Sequence, residues 1–318
     1  MNQEPKSLQE AIVYFSNPDN CIDYVAIRRW PNGKVICPGC GSEKVSQFNA
    51  KRRTWKCGSH HPKREFSIKI GTIYEDSPIP LDKWLTATWM LTNCKNGVSS
   101  YEIAKDVRVT QKSAWFMLQR IRLAMKNGSV LKLGGTGGPV EVDETFIGGK
   151  ARFMHSDKRA EKIHGRGPDG KAIVAAVFER GGTVRAKVCS TRRKPELQEL
   201  VRENVEAGSN VYSDALKSYD GLDEFQHQVV DHAIEYVNGN VHTNGLENFW
   251  SLLKRSLKGT YVSVEPFHLF RYLDEQSFRF NNRDMTDLDR FVFVMRCIVG
   301  RRLTYKQLTG KVEVAHEG

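Results

Sequence analysis

No run of apolar residues in this 318-residue chain approaches the ~18 needed to cross a bilayer, which argues against a membrane span. The opening residues Met1-Asn2-Gln3-Glu4-Pro5 lack the basic-then-apolar order of a signal peptide, so no export signal is read there. Cysteine is sparse. Seven residues, uneven in spacing and odd in number, are too few for a disulfide scaffold and point to a reducing, cytoplasmic setting. Internal repeats and low-complexity tracts are absent. With 40% hydrophobic and 27% charged residues, the chain is built to bury a core rather than stay disordered. Its length allows two or three domains. Acidic residues are the minority, 37 against 48 Lys and Arg, for a net charge of +11. That excess favours a polyanionic partner, nucleic acid or an anionic membrane surface.

The basic excess is concentrated. From Arg28 to Lys69, eleven Lys and Arg face only Glu43 and Glu65, a net +9 within 42 residues. The run wraps a cysteine cluster, and Lys51, Arg52, Arg53 and Lys56 are its candidate phosphate contacts. The next stretch, Leu81 to Met125, has helical periodicity. Leu81, Trp84, Leu85 and Thr88 recur on one face, and Asn96-Gly97 breaks the pattern. Ser99 with Glu102 reads as a capping box, and Thr110 as the cap of a following helix with an Ala114, Met117, Leu118, Ile121 and Met125 stripe. Two helices joined by Val107-Arg108-Val109-Thr110 suggest a helix-turn-helix, with Lys112, Arg120 and Arg122 as candidate DNA contacts. A plain helical linker is the alternative.

Gly134-Gly135-Thr136-Gly137-Gly138-Pro139 is rich in chain breakers and is read as a flexible domain boundary. Strand patterns follow it over Val140–Ile147, Ala172–Phe178 and Val184–Cys189. A helix is predicted over Pro195–Ala207 and a strand over Asn210–Asp214. Another strand is predicted over His227–Val230, a helix over Leu246–Leu257, and two more helices between Pro266 and Arg301. This order indicates an α/β (α+β) layer. The expected domains are residues 1–75, 76–133 and 134–300, with a C-terminal tail at 301–318.

Cys37-Pro38-Gly39-Cys40 is a CxxC knuckle, and sixteen residues later comes Cys57-Gly58-Ser59-His60-His61. C-x2-C-x16-C-x2-H is the spacing of a zinc ribbon, with two knuckles each offering two soft ligands to a tetrahedral ion. Cys37, Cys40, Cys57 and His60 are the expected ligands. His61, one residue further on, is the alternative fourth. Cys21, Cys94, Cys189 and Cys297 stand alone and are expected to be buried small apolar residues.

Asp143 sits within an apolar strand, where a lone carboxylate is costly unless it is paired or binds metal. Asp214 ends a second strand. Glu247 lies on the later helix beside its apolar stripe of Leu246, Phe249, Trp250, Leu253 and Leu257. Lys254, seven residues on, is nearly in line with Glu247 and within reach of DNA phosphates, with Lys258 close by. Two Asp and one Glu are the hard oxygen donors that Mg²⁺ or Mn²⁺ prefers, and a pair of such ions cuts phosphodiesters.

These residues resemble the DDE transposases of bacterial insertion sequences that carry an N-terminal zinc ribbon, a group related to the eukaryotic Merlin elements. The resemblance rests on Cys37-Pro38-Gly39-Cys40-Gly41-Ser42, on Phe66-Ser67 with Gly71-Thr72, and on Val142-Asp143-Glu144-Thr145-Phe146-Ile147-Gly148-Gly149. Tyr212-Ser213-Asp214 and the long, specific run from His242 to Arg255 complete it. The resemblance implies a ribonuclease H-like catalytic domain in which Asp143, Asp214 and Glu247 hold magnesium or manganese and Lys254 orients DNA. It implies metal-dependent cleavage at insertion-sequence ends and transfer of the 3′-OH into target DNA. The implied partners are double-stranded DNA, as terminal inverted repeats and target, and further copies of the chain in a homodimer or larger synaptic complex. The implied setting is the bacterial cytoplasm, on the nucleoid through DNA. Many relatives have a fourth Cys where His60 stands. The competing readings are a ribonuclease H-like nuclease or resolvase without strand transfer, and a zinc-ribbon regulator that has lost catalysis.

Overall fold

The computed structural model describes residues 4–126, 128–129, 131–149, 155–157, 170–230 and 242–310. These form two compact units: residues 1–126 with 284–318, and residues 127–283.

The first unit opens with helices α1 (Leu8–Phe15) and α2 (Pro18–Arg29). Ser7 and Asn17 cap them with side-chain oxygens, and Pro18 takes the first-turn position where its missing N–H costs nothing. Strands β1 (Thr54–Lys56) and β2 (Glu65–Ser67) pair antiparallel, with Trp55 opposite Phe66. Helices α3 (Leu81–Asn93), α4 (Ser100–Asp106) and α5 (Gln111–Met125) follow. The capping box is present: Glu102 N–H donates to Ser99 Oγ at 3.2 Å, and Ser99 N–H donates to Glu102 Oε2 at 2.7 Å. Thr110 caps α5, and the apolar stripe of α5 is buried as its spacing predicts.

Two further helices, α9 (Asp287–Arg296) and α10 (Tyr305–Leu308), belong to this unit. Residues 284–300, expected in the catalytic domain, therefore pack with the N-terminal half. The reason is aromatic: Phe291 of α9 sits 4.9 Å from the Trp89 ring and 5.6 Å from the Tyr24 ring. Periodicity marks α9 as amphipathic but does not say which core receives its stripe.

The second unit is a mixed α/β layer. Strands β3 (Val140–Ile147), β4 (Ala172–Glu179) and β5 (Val184–Cys189) form an antiparallel meander. Helix α6 (Lys194–Asn204) leads to β6 (Asn210–Asp214), which pairs parallel to β3, and β7 (Gln226–Val230) pairs parallel to β6. The sheet order is β5-β4-β3-β6-β7. Helices α7 (Asn244–Ser256) and α8 (Leu269–Asn281) follow. Because side chains alternate along a strand, the sheet has two apolar faces. Val140, Val142, Ala175 and Val177 pack with Leu197, Leu200 and Val201 of α6. Val174, Ala176 and Phe178 pack with Leu246, Phe249, Trp250 and Leu253 of α7 and with Leu273 of α8.

The glycine-rich stretch, expected to be a flexible boundary, is a packed turn inside this unit. Gly134 N–H donates to Glu179 Oε1 at 2.9 Å and Gly135 N–H to Ser209 Oγ at 2.8 Å. Gly134 takes φ +87°, and a Cβ there would lie 2.3 Å from Ser209 Oγ. Its glycines answer a close approach rather than a need for flexibility.

Candidate functional site

One tight cluster of donor atoms and one carboxylate-lined cleft stand out among the described residues. In the first unit, Cys37, Cys40, Cys57 and His61 bring three sulfurs and one imidazole nitrogen within 4.8 Å of one another. Cys37 Sγ is 3.4 Å from His61 Nε2, and Cys40 Sγ is 3.6 Å from Cys57 Sγ. This Cys3His set matches tetrahedral zinc. The fourth donor is His61, not the expected His60, which is exposed. The chain turns through Ser59 and His60 before it can face the first knuckle, and His61 Nδ1 is then held at 2.7 Å from the Pro62 carbonyl. That contact leaves Nε2 pointing at the sulfurs. Burial opposes ionisation of Cys57, but the Ser59 backbone, His61 and the other two sulfurs outweigh it and pull the thiol down to about 6.

Of the lone cysteines, Cys21 and Cys189 are buried as expected, and burial pushes their thiols up to about 12 and 11. Cys94 and Cys297 are only half-buried, a correction to the reading from sequence.

The basic candidates divide. Lys51, Arg52, Arg53, Lys56, Lys112 and Lys258 are exposed. Arg52 stands 3.5 Å from Glu65, and Arg53 3.6 Å from Asp19. Arg120 is not available to DNA. It is 3% exposed, and its guanidinium donates to the carbonyls of Leu303, Ile73 and Glu75 at 2.6–3.0 Å. Arg122 is 1% exposed. They point to different sides of α5, whose C-terminal half is buried from Met117 to Arg122 and again at Ala124 and Met125, so charge alone misplaces them.

The second site lies on the α7 side of the sheet. A shallow cleft of about 360 Å³ is lined by Asp143, Glu144, Thr145, Glu247, Trp250, Ser251 and Lys254. Asp143 comes from the middle of β3. Val142 is in register with Ser213, so Asp214 ends β6 one step on, beside Asp143. Helix α7 supplies Glu247 and Lys254, both exposed on its edge, while its stripe is buried. Trp250 Nε1–H donates to Asp143 Oδ2 at 2.8 Å.

Burial pushes the Asp143 carboxyl up to about 7. The Trp250 N–H opposes the shift, and the charges of Asp214 and Glu144 add to it. Glu144 is raised as well, by burial and by Asp214, although Tyr219 Oη–H donates to it at 3.0 Å and Arg192 lies 3.7 Å away. Crowded, poorly solvated carboxylates of this kind are relieved by a bound cation.

One buried carboxylate escaped the sequence reading. Glu141, two residues before Asp143, is wholly buried. It accepts from Arg180 Nε at 2.7 Å and from the Leu246 backbone N–H at 3.0 Å. The signal was available, because a second acid on an apolar strand carries the same burial cost as Asp143. What the strand pattern does not show is the partner, nearly forty residues away.

Residues 134–281 match the ISXO2-like transposase domain, and residues 16–59 match the transposase zinc-ribbon domain. A protein in the transposable element ISH50 of Halobacterium salinarum is 30% identical over 240 residues, covering 72% of this chain and 79% of that protein. A transposase-like protein of Haemophilus influenzae is 36% identical over 88 residues, covering 27% of this chain and 71% of its own length.

Proposed function

Given that the chain belongs to the ISXO2-like transposase family, we propose that it cuts DNA at the ends of an insertion sequence and joins the freed 3′-OH to target DNA. The observation that carries this reading is the meeting of Asp143, Glu247 and Lys254 in one cleft, with Asp214 on the adjoining strand end. The three carboxylates come from two neighbouring strands and a helix on one face of the sheet. An antiparallel meander continued by two parallel strands supports a ribonuclease H-like fold for residues 134–281.

The residues fit a pair of magnesium or manganese ions: all donors are hard oxygens, and Asp143 is held where its charge lacks solvent. When bound, such ions polarise the scissile phosphate and stabilise charge on the attacking and leaving oxygens. Asp143, Asp214 and Glu247 would hold such ions in place. Trp250 orients the Asp143 carboxylate at the cleft by donating its Nε1–H to Oδ2 at 2.8 Å. Lys254, one side of the same cleft, pairs with the DNA backbone and sets the strand across the carboxylates. Cleavage by water and strand transfer by a 3′-OH are the same displacement with different nucleophiles, so one cleft serves both.

The zinc ribbon and the α4–α5 pair are the proposed readers of the terminal inverted repeats. Lys51, Arg52, Arg53, Lys56 and Lys112 contact phosphates, and Lys258 extends the basic edge beyond α7. Two element ends must be joined at once, so the working form is a dimer or larger synaptic complex.

The test is cleavage and joining of DNA carrying the element's ends in Mg²⁺. Asp143→Asn, Asp214→Asn and Glu247→Gln should each slow cutting about 10³-fold, as expected from losing several kcal/mol of charge stabilisation. End binding should remain. Near-normal cutting by any one variant would remove that residue from the site. Cleavage without joined product would favour the nuclease reading.

A further inference from the structure

We propose that Glu141, clamped by Arg180, is a positioning residue that sets where Glu247 stands relative to Asp143. The inference rests on the reading of Asp143, Asp214 and Glu247 as the metal-holding set, and it concerns how the fold brings them to register.

Glu141 and Asp143 are two apart on β3 and therefore share a face. Leu246 and Trp250 are four apart on α7 and lie one above the other. Two strand residues advance about 6.6 Å and four helix residues about 6 Å, so strand and helix can be pinned at two successive points. Both pins are made. Glu141 Oε2 accepts the Leu246 N–H at 3.0 Å, and Asp143 Oδ2 accepts the Trp250 Nε1–H at 2.8 Å. Glu247 lies between them along the helix. Its height above the sheet and its turn toward the cleft follow from the two contacts.

The first pin replaces a local cap. Thr243, the N-cap residue of α7, makes no side-chain cap hydrogen bond. A carboxylate from the sheet takes that place, where the partial positive charge of the helix start favours it. The approach is close: a Cβ on Gly245 would lie 2.3 Å from Phe178 Cε1 and 2.8 Å from Glu141 Oε2. Only glycine lets the first turn seat this deeply.

Arg180 extends the clamp to the third element. Its Nε donates to Glu141 at 2.7 Å, and its terminal nitrogen donates to the His242 carbonyl at 2.6 Å and lies 2.8 Å from His242 Nδ1. The guanidinium also sits 5.0 Å from the centre of the Tyr212 ring, two residues before Asp214 on β6. One side chain thus touches β3, β6 and the entry to α7, which carry Asp143, Asp214 and Glu247. Both Glu141 oxygens are engaged, Oε1 by Arg180 Nε and Oε2 by the Leu246 N–H, so its role is geometric and not that of a fourth ligand.

The experiment follows cleavage of element-end DNA by the full chain as Mg²⁺ is titrated. Glu141→Gln, which keeps one acceptor but loses the ion pair, should raise the Mg²⁺ concentration for half-maximal cutting about 10- to 100-fold. Saturating Mg²⁺ should restore part of the rate, and affinity for end DNA should stay unchanged. Arg180→Lys should move the midpoint in the same direction by less, and it decides the matter if Glu141→Gln does not fold. A purely structural role would lower the melting temperature and leave the midpoint in place. Wild-type midpoints in the folded variants would overturn the proposal. Glu247→Gln is run alongside: if it cuts normally, the three-carboxylate reading fails and the positioning role falls with it.

Discussion

The zinc cluster and the carboxylate cleft solve the same problem, holding several charged donors together, by opposite routes. The ribbon draws its four ligands from 25 consecutive positions, Cys37 to His61. Its two strands are three residues each and bury little more than Trp55 and Phe66. Metal must supply much of its folding energy. The cleft draws on Asp143, Asp214 and Glu247, spread over more than a hundred residues, and two apolar layers around a five-stranded sheet hold them. A short-range site depends on its ion for shape. A long-range site takes its shape from the packed layers around it.

The sharpest break of that contrast is the fourth ligand. His61→Ala removes one of four donors. With structural zinc worth about 10–16 kcal/mol, a quarter of that is about 2.5–4 kcal/mol, or at least ~50-fold in affinity. Zinc content by elemental analysis should fall in His61→Ala and hold at one per chain in His60→Ala. The reverse pattern would restore the shorter spacing.

Next in size is Arg120. Arg120→Ala strands three carbonyls that a buried guanidinium now satisfies, and should cost about 2–4 kcal/mol of stability by thermal or denaturant unfolding. Its effect on the salt dependence of DNA binding should be nil. A flattened salt slope without destabilisation would return Arg120 to the DNA surface.

The cleft has its own signature in pH. The folded Asp143 carboxyl sits at about 7 against an ordinary 3.8. Between these values the folded state keeps a proton that the unfolded state has lost, so this group's contribution falls as pH rises. Metal-free protein should therefore lose melting temperature from about pH 4 to pH 7 relative to Asp143→Asn, with the gap constant above. Adding Mn²⁺ at pH 8 should raise the wild-type value and not the variant's. Parallel pH curves for the two proteins would show that Asp143 is not strained by burial.

The smallest effect expected is on the ribbon's surface. Neutralising Lys51, Arg52, Arg53 and Lys56 together should flatten the slope of log K against log salt for end DNA by up to roughly 2–3 units. Arg52 and Arg53 already face Glu65 and Asp19, which is why fewer than four units are expected. An unchanged slope would move the phosphate contacts to Lys112, to Lys254 on the α7 edge and to Lys258 just beyond it.

Much of this molecule is local in origin and was legible as such. The Ser99–Glu102 capping box, the Thr110 cap, the strand Val140–Ile147 and the helix stripe from Leu246 to Leu253 follow from near-neighbour chemistry and period. So does the pair of cysteine knuckles. What only tertiary structure decided is which polar groups meet across the chain. His61 rather than His60 faces the sulfurs because the turn after Cys57 fixes the direction of each ring. Arg120 leaves the surface because the segment through Leu303 covers its face of α5. The helix at Asp287–Arg296 joins the N-terminal unit because Phe291 fits between Trp89 and Tyr24. Glu141 becomes the cap of a helix more than a hundred residues away because a strand and a helix advance by nearly the same distance over two and four residues. Periodicity encodes which side of an element is apolar. It carries no term for what lies opposite, and each of these differences arises there.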